Sequence, residues 1–168
     1  MRIWIEVASG DQSWIRKKEK SSMTKSGLWA PNRSRYKNML KLVNPGDIIL
    51  THLTGALTRK KEWKSAIVGL SIAESRYENA DSKIVLPLTE SVELKISIKF
   101  SQYKNNKLLS DKLQNAIRFC YQKYLIEITP KDFYILMSIH QENIDLLNKT
   151  PYSNYLKKVS KLHEAKSI

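Results

Sequence analysis

The chain has 168 residues, long enough for one domain over residues 1–168 with a core that needs neither metal nor disulfide, and its 29 Lys and Arg against 16 Asp and Glu leave a formal net charge of +13. That excess favours polyanionic partners, nucleic acid first and an anionic membrane second. A lone Cys120 excludes an intramolecular disulfide or a multi-cysteine zinc site, and His52, His140 and His163 lack metal-ligand spacing. With no bilayer-length apolar run and no basic-then-apolar leader, the sequence reads as cytoplasmic and free of cofactors.

The opening MRIWIEV alternates and is rich in β-branched and aromatic residues, which predicts a strand over 2–7 with Trp4 as a core residue. The polar, basic stretch 8–27 then describes a loop or a short basic helix. It leads to Trp29, held between Gly27 and Pro31 and read as a turn residue. In 33–43, Tyr36, Met39, Leu40 and Val43 recur at helical steps, with Asn32 a candidate N-cap. Asn44-Pro45-Gly46-Asp47 is a turn into the strand 48–53, whose continuous apolar start implies burial on both faces. The basic segment 54–64 is placed on a loop, and the chain returns to the sheet over 65–73.

After turn material at 78–83, the segment IVLPL contains Pro87, which assigns it to a sheet edge. Residues 91–100 alternate, with Val92, Leu94, Ile96, Ile98 and Phe100 on one face of an antiparallel strand. A core-facing helix over 108–121 follows, with Cys120 on its apolar face, then a short strand at YLIEI. Thr129 and Pro130 cap and open a single helix over 130–149, and 151–166 forms a basic terminal helix. Short strands, one early crossover helix and a helical last third, from about residue 108, predict an α+β fold, a small mixed β-barrel flanked by helices.

The order of these features is itself informative. An aromatic-rich opening strand, then G-L-W-A-P, a helix, N-P-G-D-I-I-L, a basic loop and A-I-V-G-L-S-I-A resembles the EVE and YTH branch of the PUA-like superfamily over about residues 1–100. The resemblance implies a non-catalytic reader that holds a methylated base, turned out of its strand, in an aromatic pocket, with Trp29 as one wall. The opposite wall would come from Trp63 or Trp14. Ala30 stands where a serine often follows the tryptophan, and no tryptophan occurs in 91–100, so the pocket departs from the YTH pattern. The layout also looks like the N-terminal specificity domains of McrB-type modification-dependent restriction systems, where a separate or fused motor and nuclease act. No nucleotide-binding P-loop occurs in the sequence, so this chain would be a fragment or a stand-alone relative. Modified DNA is the expected partner, with N6-methyladenine slightly ahead of 5-methylcytosine by likeness to YTH pockets. An RNA-binding PUA-like module is the alternative.

The chemistry agrees with such a reader without the resemblance. A flipped base offers two flat faces and one polar edge, and stacking contributes about 1–3 kcal/mol, so edge contacts must supply discrimination. Ser9, Ser13, Asn32 and backbone groups near Ala30 flank the candidate tryptophans and are candidates for those contacts. Arg16, Lys17, Lys18 and Lys20 before Trp29, Arg33 and Arg35 after it, and Arg59, Lys60, Lys61 and Lys64 around Trp63 are candidate phosphate contacts. A further alternative is a Mg²⁺-dependent nuclease, because Asp47 followed by Glu62-Trp63-Lys64 formally satisfies a restriction-type pattern. The carboxylates of such a site must meet on adjacent strands.

Overall fold

The computed structural model describes residues 1–18, 27–31, 35–80, 83–119 and 124–164, with the side chains of residues 29, 31, 80 and 162–164 outside that description. In chain order the elements are β1 (Ile3–Gly10), α1 (Asp11–Lys18), β2 (Leu28–Pro31), α2 (Arg35–Leu40), β3 (Ile48–Leu57), β4 (Ala66–Ala73), β5 (Glu78–Ala80), β6 (Lys83–Leu86), β7 (Leu88–Lys99) and α3 (Phe100–Tyr103). They continue with α4 (Asp111–Arg118), β8 (Leu125–Ile128), α5 (Pro130–Met137), α6 (Gln141–Leu147) and α7 (Ser153–Glu164).

Five strands form one sheet in the order β7-β4-β3-β1-β8, and three form a second in the order β2-β6-β5. Strands β1 and β3 are parallel, joined through α1, β2 and α2, and the other pairings are antiparallel. Alternation along the strands sorts side chains to two faces. Ile3, Ile5, Ile48 and Leu50 face a core shared with Leu113, Phe133, Leu136 and Leu156 of the C-terminal helices. Trp4 and Ile49 face the opposite way, onto Leu28, Ala30, Ile84 and Leu86 of the small sheet and Leu40 of α2. Farther along, Ala8, Leu53, Ala66 and Val68 pack with Trp14 of α1 and with Trp63. Both faces of the large sheet are thus covered, which is why 48–53 reads as a continuous apolar run.

Several expectations change. Trp29 lies on strand β2, its backbone paired with Val85, because Leu28–Pro31 forms a ladder with Lys83–Leu86 rather than a turn. Strand β3 extends to Leu57, and the loop that follows holds a 3₁₀ turn over Lys61–Trp63. Pro87 falls between β6 and β7, so it removes no ladder bond, and β6 is the central strand of its sheet rather than an edge. Residues 78–80, expected as turn, pair with β6 as β5. Strand β7 is bulged: between Ile67↔Ile98 and Gly69↔Glu93, two steps of β4 oppose five of β7.

The helix expected over 130–149 is broken into α5 and α6 by an extended His140. The break turns buried Asn143 onto the bulge of β7, where its Oδ1 accepts the Ile96 N–H at 3.0 Å and its Nδ2 donates to the Ile96 carbonyl at 2.8 Å. Thr129 and Pro130 open α5 as expected, with Thr129 Oγ1 accepting the Asp132 N–H at 3.0 Å. Cys120 lies outside the described residues.

Candidate nucleic-acid interface

At the C-terminal ends of β1 and β3 the parallel ladder slips: Ala8 pairs with Leu53, but Gly10 pairs with Leu57. Four residues of β3 therefore advance against two of β1, and the local bulge opens the sheet end. Gly10 is needed there, since a Cβ would lie 2.8 Å from the Leu57 carbonyl oxygen. The result is a cleft of about 720 Å³, walled by Ser9, Ser13 and Arg16 on one side and by Gly55–Thr58, Arg59 and Lys64 on the other. Arg16, Arg59 and Lys64 are exposed, and among the described residues none of the three is ion-paired.

The loop carrying Arg59 and Lys64 is held from three sides. Asp11 Oδ2 accepts the backbone N–H groups of Arg59 at 3.1 Å and Lys60 at 3.2 Å. Lys99 Nζ donates to the carbonyls of Lys61 at 2.7 Å and Lys64 at 3.2 Å, and Ser97 Oγ donates to the Glu62 carbonyl. Trp63 is buried beneath, 3% exposed, with the Lys60 ammonium 3.8 Å and the Lys18 ammonium 5.7 Å from its ring centre. Backbone and side-chain bonds from β7 and α1 thus pre-set the cationic rim before any ligand arrives.

Of the residues singled out in the sequence, the cleft brings together Ser9, Ser13, Arg16, Arg59 and Lys64. Others are corrected. Trp14 is fully buried, its ring so close over Gly69 that a Cβ on that glycine would lie 2.2 Å from it, so the indole is a core group rather than an open wall. Trp63 is core for the same reason, its ring enclosed with Trp14, Leu53 and Val68. Ala30 is fully buried in the core between the two sheets, so its side chain is a packing group.

Lys17 is no phosphate contact: it is buried and ion-paired with Glu6, and its Nζ donates to Thr51 Oγ1 at 3.0 Å. Burial pushes the Lys17 ammonium down from its ordinary range, against the pull of the Glu6 carboxylate. Lys18 is paired with Glu93. Lys61 is exposed on the loop, outside the cleft wall. Arg35 donates to the Tyr36 hydroxyl at 3.3 Å and lines a different cleft, beside Arg2 and Trp4 at the start of β1. Asn32, Arg33, Lys20 and the side chain of Trp29 lie outside the described residues.

The nuclease pattern does not assemble. Asp47 is buried and occupied, Oδ1 accepting the Arg2 N–H at 2.7 Å and Oδ2 accepting Trp4 Nε1–H and the Asn44 N–H, each at 3.0 Å. It precedes β3, whereas Glu62 and Lys64 follow it, and a ten-residue strand separates its ends by roughly 30 Å. The sequence reading left Asp11 within the polar stretch 8–27 and gave it no role; an Asp four residues after the alternating MRIWIEV and three before Trp14 was the available signal.

No protein-family model matches the chain, and no curated protein sequence does. Solved structures do. The N-terminal domain of McrB from Staphylothermus marinus superposes with a TM-score of 0.54 at 11% identity, over 81% of this chain and 93% of that one. Human THYN1, in complex with 5-methylcytosine-containing DNA, gives 0.53 at 15% identity over 84% of this chain and 98% of that one. Protein Atu2648 of Agrobacterium tumefaciens gives 0.56 at 9% identity, over 81% and 90%. The fold is PUA-like, a mixed α+β arrangement as the resemblance implied.

Proposed function

We propose that this PUA-like chain is a non-catalytic reader of DNA carrying a methylated base, and that it takes the flipped nucleotide into the cleft at the ends of β1 and β3. The observation that carries the proposal is the cleft itself: two serine hydroxyls and three exposed cations, none ion-paired among the described residues, converge where the parallel ladder slips open. Cations on a pre-set rim suit phosphates, since each one neutralised releases condensed counterions. Hydroxyls and backbone groups suit the polar edge of a base.

In this reading Trp29 is the stacking ring, as the resemblance to EVE and YTH domains implies. The DNA-bound human THYN1 structure supports 5-methylcytosine as the mark, and N6-methyladenine is the competing one. In a modification-dependent restriction system such a chain provides recognition, and a separate motor and nuclease provide cutting.

The test is titration of the purified chain, with Mg²⁺ present, against matched duplexes that are unmodified, 5-methylcytosine-containing or N6-methyladenine-containing, and against the corresponding single-stranded RNAs. One modified duplex is expected to bind most tightly and to stay uncut. Arg16→Gln and Arg59→Gln should weaken modified and unmodified DNA alike and lower the salt slope by about one each. Trp29→Ala should abolish the preference for the modified base. Affinity indifferent to modification refutes the reader, and preference for modified RNA favours the RNA-binding alternative.

A further inference from the structure

One exposed apolar side chain stands in the wall of the cleft. Strand β3 pairs with β4 only as far as Leu53↔Ala66, so its last residues, Thr54 to Leu57, overhang that ladder. Gly55, Ala56 and Leu57 are exposed on this tip, and Leu57 carries the only bulky side chain of the three, 69% exposed. Hydroxyls, cations, small residues and the side chains of Asp11 and Gln12 make up the rest of the wall. Among the described residues Leu57 is therefore its one large apolar group.

The backbone of the tip is held in place. Leu57 pairs with Gly10, and the two approach so closely that a Cβ on Gly10 would lie 3.0 Å from the Leu57 Cβ. On the other side, buried Thr58 donates its hydroxyl to the Thr54 carbonyl, and Asp11 accepts the Arg59 N–H. The fold thus fixes the seat of a leucine whose side chain stays in water, where burial against an apolar surface would stabilise it.

We propose that Leu57 is a wedge that enters the duplex at the step the methylated base has left. This inference rests on the reading of the cleft as the base-binding site and adds how the base is kept out. Turning a base out of a duplex costs its stacking and its pairing. An apolar side chain in the vacated step covers the uncovered faces of the neighbouring bases and opposes the return of the flipped one, and leucine is among the residues that architectural proteins insert in this way. Such a wedge has to stand beside the pocket that receives the base. Leu57 does so, sharing one wall with Arg59 and Lys64, whose charges hold the flanking phosphates. Gly55 and Ala56 add no bulk that would keep the tip off the duplex. A base already free of its stack needs no wedge, so Leu57 acts on duplexes rather than on single strands.

The test titrates one DNA strand carrying the preferred methylated base, alone and in its duplex, with the native chain, Leu57→Ser and Leu57→Met. Leu57→Ser should lose about tenfold or more in affinity for the duplex relative to the single strand, the size expected from burial of one leucine side chain. Leu57→Met, apolar and of similar volume, should recover most of that loss. Because the side chain is exposed, neither variant should shift the melting temperature. Equal loss on duplex and single strand, or no loss on either, overturns the wedge; retained preference for the methylated base in the same titrations leaves the reader intact. If instead Arg16→Gln and Arg59→Gln change no affinity for any duplex, the cleft is not the binding site and both fall.

Discussion

The joint between α1 and the large sheet is ionic, and removing one of its charges should be among the costliest single changes in the protein. Glu6 lies on the face of β1 between Trp4 and Ala8, and Lys17 reaches it from α1. Their side chains are 6% and 2% exposed, and Thr51 beside them is fully buried. Lys17→Met keeps most of the stem and deletes the ammonium. The Glu6 carboxylate is then left with the Thr51 hydroxyl at 3.3 Å as its hydrogen-bond donor in this cluster. Stranding a buried charge in this way costs about 3–5 kcal/mol.

Against a total stability of about 5–15 kcal/mol that is a large fraction, and for a chain of this size it corresponds to a fall in melting temperature of roughly 6–20 °C. Thermal and urea melts read it directly. The double change Glu6→Leu with Lys17→Met should recover most of the loss, since replacing a buried pair by apolar groups is often neutral or better. Salt should have little effect on the native stability term, because water and ions do not reach the pair. A loss below about 1 kcal/mol for Lys17→Met, the usual worth of an exposed pair, would show that Lys17 is solvated and would restore it as a candidate phosphate contact.

Two further outcomes test the architecture. His52 is buried, and burial pushes its imidazole down from an ordinary value of 6.5 to about 4, so the fold holds it neutral. Protonation then favours the unfolded chain: this contribution is complete above about pH 6.5 and is lost as pH falls towards 4, up to about 3 kcal/mol. His52→Gln should flatten the stability profile across that window, and an unchanged slope in denaturant melts would refute the assignment. Gly69→Ala drives a methyl group into the Trp14 ring and should cost about 1–3 kcal/mol with a red-shifted tryptophan emission. A silent substitution would mean that the indole can move aside.

Much of the framework was legible because it is written in local patterns. The alternation of MRIWIEV, the turn at Pro45-Gly46-Asp47 and the Thr129-Pro130 cap each depend on residues close in sequence, and each appears in the structure. The basic clusters that supply Arg16, Arg59 and Lys64 were visible for the same reason. Periodicity also placed Trp4 in the core, on the face that meets the small sheet. What it could not say is which other tryptophans are covered. Trp14 is core because Gly69, 55 positions later, leaves a flat surface for its ring, and the glycine of A-I-V-G-L-S-I-A is explained by that contact.

Lys17 stands among Arg16 and Lys18 and shares their chemistry. Only the docking of α1 on the face that carries Glu6 separates a buried cation from two exposed ones. Asp11 acquires its meaning from backbone groups 48 and 49 residues away, and the cleft exists because two strands distant in sequence slip register by two residues where Gly10 lets them approach. Sequence by itself determined the elements, their order and the cationic character of the molecule. Tertiary structure decided which charges and rings meet solvent, because burial is a relation between segments and no single segment contains it.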